Sequence, residues 1–201
     1  LIPVPAPTRA IAVFGSSQPR PGDAEYTFAR DLGVALVQAR FAIINGGHEG
    51  IMAAVSAGAR AAGGFSLGVS CASIRETRDA RLNPYLDAWI DAPTLPARIE
   101  IMMRRASGYV FLPGSTGTLA ELGVIWEHVA KGLIVPRPMV LVGDVWAALA
   151  ERIPAPAADR QVIRADDVAQ IVAELTARAI DLPPADRAFT AGQEIQHVHP
   201  G

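Results

Sequence analysis

Three apolar runs of strand length each end in a turn of small residues. Ala10–Phe14 is followed by Gly15-Ser16-Ser17, Phe41–Ile44 by Asn45-Gly46-Gly47, and Tyr109–Leu112 by Pro113-Gly114-Ser115-Thr116-Gly117-Thr118. Helical spacing of apolar residues follows each turn. A chain that alternates strands with helices pairs its strands in parallel, and the turns after those strands gather at the carboxyl edge of one sheet. The fold class is therefore α/β: a doubly wound, mostly parallel sheet with helices on both faces. In such sheets ligands bind along that edge.

The other elements follow from periodicity. Asp23 precedes Tyr26, Ala29, Leu32, Gly33, Leu36 and Val37, which recur at helical spacing. Glu49–Ala62 is an Ala-rich helix stopped by Gly63-Gly64, and Phe65–Val69 is a third strand. Residues 70–84 are polar and Arg-rich and are expected to form an exposed loop over the site. Leu86–Ile90 is a weaker strand. Thr94 suits an N-cap and Pro96 a first turn, so a helix is expected to about Ala106. Met139–Val142, Val145–Glu151, Gln161–Arg164 and Asp166–Ala177 read as strand, helix, strand and helix. The expected organisation is a flexible arm over 1–9, a single nucleotide-binding domain over 10–180 and a tail over 181–201.

Composition excludes several classes. Half of the 201 residues are hydrophobic and 19% are charged, which suits a globular chain. The formal net charge is -2 with no basic cluster, so no nucleic acid is expected as a partner. Cys71 is the single cysteine, and the histidines lack metal-ligand spacing, so neither a disulfide nor a metal is expected. No apolar run reaches spanning length and the start lacks a positive n-region; no membrane partner and a cytoplasmic location are expected. Gly-x-Gly-x-x-Gly after the first strand and Gly-Lys-Ser/Thr are both missing, which argues against a dinucleotide dehydrogenase and a P-loop NTPase.

The turn at Gly114, Ser115, Thr116, Gly117 and Thr118 opens a helix, where unpartnered N–H groups and the helix dipole favour an anion. With Gly15, Ser16, Ser17, Gly46 and Gly47 it makes a phosphate- or nucleotide-binding edge. Glu121, one turn into that helix, is out of place in a plain phosphate site and suits work on a ribose. Arg98 lies early in the preceding helix, so both residues are expected near the carboxyl edge of the strand between them. A carboxylate that stabilises an oxocarbenium-like ribose or engages a water, beside a guanidinium that holds oxygens, suits cleavage of a glycosidic bond. His48, in the second glycine turn, is placed where it could touch a ligand, and reads first as a turn residue without a role.

The run Pro113-Gly114-Ser115-Thr116-Gly117-Thr118-Leu119-Ala120-Glu121 resembles the Pro-Gly-Gly-x-Gly-Thr-x-x-Glu hallmark of the LOG (Lonely Guy) family, phosphoribohydrolases long described as lysine decarboxylases. That family carries an arginine fifteen positions before the proline, which Arg98 matches. Gly15-Ser16-Ser17, Asn45 to Met52, and Tyr26, Ala29, Leu32 and Gly33 resemble its shorter motifs. The resemblance implies a Rossmann-like fold and no cofactor. It also implies a homodimer and release of free base and ribose 5-phosphate from nucleoside monophosphates of the cytokinin or AMP type. Arg98 and Glu121 would be the catalytic pair. Two departures stand out: Ser115 replaces a glycine, and Leu95-Pro96-Ala97-Arg98-Ile99 lacks the usual flanking His and Lys. The altered flank also suits a related branch, similar to molybdenum-cofactor carriers, that binds a nucleotide or phosphate-bearing cofactor without hydrolysing it.

Overall fold

The structure is a computed structural model that describes residues 9–78, 81–153, 160–182 and 195–197. Its first half runs β1 (Ala10–Phe14), α1 (Ala24–Gln38), β2 (Ala42–Asn45), α2 (Ile51–Ala61), β3 (Ser66–Cys71), α3 (Ala72–Arg78), β4 (Ala88–Ala92) and α4 (Leu95–Arg105). The second half runs β5 (Gly108–Phe111), α5 (Thr116–Ala130), β6 (Met139–Leu141), α6 (Asp144–Arg152), β7 (Val162–Arg164), α7 (Val168–Arg178) and β8 (Ile195–His197).

The strands form one sheet in the order β7-β6-β5-β1-β2-β3-β4-β8. Every pairing is parallel except that of β8 with β4. The chain winds outward from β1 to β4, returns to place β5 on the free side of β1, and winds outward again. At that reversal the helices after β1 and β5 diverge and open a crevice at the carboxyl ends of the two strands.

Alternation along the strands divides the core between the two faces of the sheet. Ile11, Val13 and Val110 pack with Leu32, Leu36, Val55 and Leu175 of α1, α2 and α7. Ala12, Phe14, Tyr109 and Phe111 pack with Met102, Leu122, Ile125 and Trp146 of α4, α5 and α6. Phe14 and Phe111 stack with ring centroids 5.0 Å apart, joining β1 and β5 below the crevice.

Caps explain the helix starts. Thr94 Oγ1 accepts from Ala97 N at 3.2 Å, as its position predicts. At α7 the cap is Asp167, whose Oδ1 accepts from Gln170 N at 2.8 Å. Asp23 stands at the N-cap of α1, but its carboxylate instead accepts from Arg20 N at 2.7 Å.

The structure corrects the expected loop at 70–84. β3 continues through Ser70 and Cys71, both fully buried, and α3 follows. The polar residues found partners that a sequence pattern does not show. Ser70 Oγ lies 3.0 Å from His48 Nε2. Arg75 holds Asp91 through two bonds of 2.7 Å and lies over the Trp89 ring at 5.2 Å. Asp91 is held below the ordinary carboxylate range by that guanidinium.

β8 adds an antiparallel edge strand, from Ile195 to His197, within the expected tail. Three residues are too short to show a period of two. His199 and the expected arm, apart from Arg9, lie outside the described residues. Arg137 is fully buried and donates from Nη1 to the carbonyls of Met103 and Ala106, each at 2.7 Å, and of Arg104 at 3.0 Å. It thereby closes the C-terminal end of α4.

Candidate nucleotide site

A cavity of about 580 Å³ opens at the crevice between β1 and β5. Gly15, Ser17, Gly46, Ser115, Gly117 and Thr118 line it, as do Arg98 and Glu121. Four of the expected residues build its frame without lining it. Ser16 donates from N to Pro113 O at 3.0 Å and accepts on its own carbonyl from Ile51 N at 2.9 Å, so it stitches the three turns together. Gly47 N is held by Asn45 Oδ1 at 2.8 Å. Gly114 packs beneath Thr118, whose side chain a Cβ there would strike. Thr116 opens α5 and is exposed.

The α5 N-terminus supplies the amides. Ser115 is its N-cap residue, and the first helical bond runs from Leu119 N to Ser115 O at 3.0 Å. The amides of Thr116, Gly117 and Thr118 precede that bond and have no helical acceptor. Ser115 has φ -108, an ordinary value for any side chain, so replacing the family glycine strains nothing. Its hydroxyl makes no cap bond and is exposed at the cavity.

Arg98 and Glu121 meet at the cavity floor. They are 5% and 7% exposed, and Arg98 Nη1 donates to Glu121 Oε1 at 2.9 Å. Arg98 Nε donates to Val69 O at 2.7 Å, which fixes the guanidinium plane across the end of β3. No donor among the described residues is bonded to Glu121 Oε2, so that oxygen is the one a ligand can use. Burial pushes the Glu121 carboxyl above the ordinary carboxylate range, against the opposing pull of Arg98. Desolvation is the larger effect because the carboxylate is almost wholly removed from water.

Gly46 is required by this pair. A Cβ at residue 46 would run into Arg98 Nη2. Gly46→Ala is therefore expected to push the guanidinium off Glu121 and to lower ligand affinity or turnover by at least tenfold. The measurement is a titration with nucleotide alongside the unfolding midpoint; unchanged affinity and rate would show that the guanidinium position is not needed. Gly50 has a different reason: φ is +69 and a Cβ would meet Ser16 O, so a side chain is both strained and blocked.

Of the lining residues, Arg20 and Arg81 were not marked by the sequence pattern, and His48 reads there first as a turn residue without a role. His48 is 5% exposed and is not an idle turn residue: its ring nitrogens engage Ser70 Oγ and, at 3.2 Å, Arg81 O. Arg20 pairs with Glu49 at 3.2 Å, joining the turns after β1 and β2 at the rim. Arg81 lines the cavity from the segment after α3. Each depends on a partner in a different turn, so no local spacing marks it. Among the described residues no group of three or more His, Cys, Asp or Glu side chains could hold a metal, and no helix is long and apolar enough to cross a membrane.

The sequence pattern of the SLOG cluster4 family matches residues 8–173. The chain belongs to this family. The LOG resemblance carried by Pro113–Glu121 agrees with that membership. Two curated relatives of this SLOG chain are both named cytokinin riboside 5'-monophosphate phosphoribohydrolase. The one from Mycobacterium tuberculosis is 32% identical over 139 residues, covering 68% of this chain and 71% of the relative. The one from Mycobacterium marinum is 36% identical over 103 residues, covering 50% and 52%. The molybdenum cofactor carrier protein of Chlamydomonas reinhardtii superposes on the SLOG chain with a TM-score of 0.68 and 23% identity, covering 84% of this chain and 96% of that one. At that identity the likeness concerns the fold alone.

Proposed function

We propose that the chain is a nucleoside 5'-monophosphate phosphoribohydrolase of LOG type, which releases free base and ribose 5-phosphate. The observation that carries this reading is the buried Arg98–Glu121 pair at 2.9 Å, set on the floor of a cavity whose rim is the α5 N-terminus. The 5'-phosphate would take the amides of Thr116, Gly117 and Thr118. The ribose would then lie over Glu121.

The chemistry follows from that placement. The bond from the ribose anomeric carbon to the base nitrogen breaks, and its electron pair leaves with the base. Water adds to the anomeric carbon, and its proton passes to the departing base through the carboxylate or solvent. Glu121 Oε2 stabilises the positive charge that develops on the ribose or holds the water. Arg98 keeps the carboxylate oriented and has Nη2 beside the cavity. No cofactor enters this scheme. The curated relatives' names extend the reading to cytokinin riboside 5'-monophosphates.

The test is incubation with AMP and with isopentenyladenosine monophosphate, with free base and ribose 5-phosphate measured and the Glu121→Gln variant as control. Base release above that control is the expected result. A nucleotide that stabilises the protein and is recovered intact would instead assign the cavity to a carrier of a phosphate-bearing ligand.

The acid limb of the pH profile is a second check. Since burial raises the Glu121 carboxyl and the reactive form is the carboxylate, activity should fall at a higher pH than an ordinary carboxylate would dictate. The effect of the same shift on stability has the opposite direction in pH. The folded state binds this proton more tightly than the unfolded chain does. The contribution of Glu121 is therefore fully present below the unfolded titration and is lost as pH rises through the folded one. An acid limb in the ordinary carboxylate range would remove Glu121 as the titrating group.

A further inference from the structure

We infer that Arg81 contacts the base end of the ligand, an assignment that rests on the nucleotide reading above. Arg98 lies against Gly46 in the turn after β2, but Val69 O and Glu121 already hold its guanidinium and it is 5% exposed. Arg81 is exposed, lines the same cavity, and has no ion pair among the described residues.

The backbone that carries Arg81 is fastened to the turn after β2. His48 Nδ1 donates to Arg81 O at 3.2 Å, since a carbonyl only accepts. Asn83 N donates to Gly47 O at 2.9 Å, and Asn83 Nδ2 donates to His48 O at 3.1 Å. His48 Nε2 is engaged by Ser70 Oγ, which also accepts from Arg75 Nη1 at 3.3 Å. His48 is thus a positioning residue for Arg81, with both ring nitrogens occupied.

The placement decides which part of the ligand Arg81 meets. The amides at the start of α5 follow β5, and Arg81 is tied to the turn after β2. These strands are two places apart in the order β5-β1-β2, about 9–10 Å at ordinary strand spacing. With the phosphate on the α5 amides and the ribose over Glu121, the ligand runs along the cavity toward the turn after β2, and the base falls where Arg81 lines that cavity. There a guanidinium, which only donates, meets a ring-nitrogen or carbonyl acceptor on the base edge. Such a donor also favours the electron pair that moves onto the base as the glycosidic bond breaks.

The experiment compares AMP with ribose 5-phosphate, which lacks the base. Both are titrated by calorimetry against Glu121→Gln and against the Glu121→Gln, Arg81→Gln double variant, so that AMP is not consumed. The single variant should bind AMP more tightly than ribose 5-phosphate. Arg81→Gln should weaken AMP about tenfold, the loss of one charge-assisted bond, and leave ribose 5-phosphate unchanged. Equal weakening of both ligands would make Arg81 a phosphate contact, and no change in either would leave it without a ligand role; each overturns the inference. Failure of the hydrolase reading looks different: base-dependent binding through Arg81 persists while wild-type protein releases no base. If neither compound binds, both readings fall. Unligated unfolding midpoints of the two variants should coincide, because the exposed Arg81 side chain makes no hydrogen bond or ion pair among the described residues.

Discussion

Replacing Glu121 with glutamine is expected to lower base release by about 10²–10⁴-fold while the protein stays folded. A thousandfold loss corresponds to about 4 kcal/mol of transition-state stabilisation. The glutamine amide oxygen still accepts from Arg98 Nη1, so the bond at 2.9 Å has a replacement acceptor and the cavity floor keeps its shape. What disappears is the negative charge, the one feature an oxocarbenium-like ribose requires. The loss should therefore fall on kcat, with KM changed little. Arg98→Ala is the harsher change, because it leaves the Glu121 carboxyl buried without its cation. Breaking a buried pair from one side costs about 3–5 kcal/mol, and the carboxyl would then take up a proton at still higher pH. A Glu121→Gln protein with wild-type turnover would remove Glu121 from the chemistry.

Arg137→Met is expected to cost about 3–5 kcal/mol of stability, without touching the cavity. Arg137 has no exposed surface, and its Nη1 serves the carbonyls of Met103, Arg104 and Ala106. Carbonyls at a helix end have no donor of their own, and burial denies them water. Methionine fills comparable volume but supplies no donor, so the Arg104 and Ala106 carbonyls lose the Arg137 bonds, while Met103 O keeps only the Tyr109 hydroxyl at 2.8 Å. For a chain of this size the unfolding midpoint should drop by about 6–20 °C, measured by thermal or urea unfolding. Arg137→Lys should fall between the two, since an ammonium keeps the charge but reaches fewer acceptors. A midpoint within 2 °C or so of the parent would mean that the α4 end finds other donors.

Much of the architecture was legible along the chain. The strands at Ala10, Ala42 and Gly108 are apolar on both faces because helices cover both, and such runs need no partner to be recognised. The turn at Pro113–Thr118 and the cap at Thr94 are also local, since each makes its bonds within a few residues. The segment after Val69 was misread for the opposite reason. Ser70 and Arg75 look solvated until His48 and Asp91 are placed beside them.

The same division holds at the site. Sequence alone determined the α/β alternation and the small-residue turns at one sheet edge. It also marked Arg98 and Glu121 as the candidate pair, because those features rest on residue type and short spacing. Only the tertiary structure decided that Arg98 bonds Glu121, 23 residues away, and does so against Gly46. It alone brought His48 to Arg81 and Arg137 to the end of α4, across 33 and 34 residues. Such contacts depend on where the sheet order places each turn. Periods of two and 3.6 residues describe one element at a time, and carry no record of which elements meet.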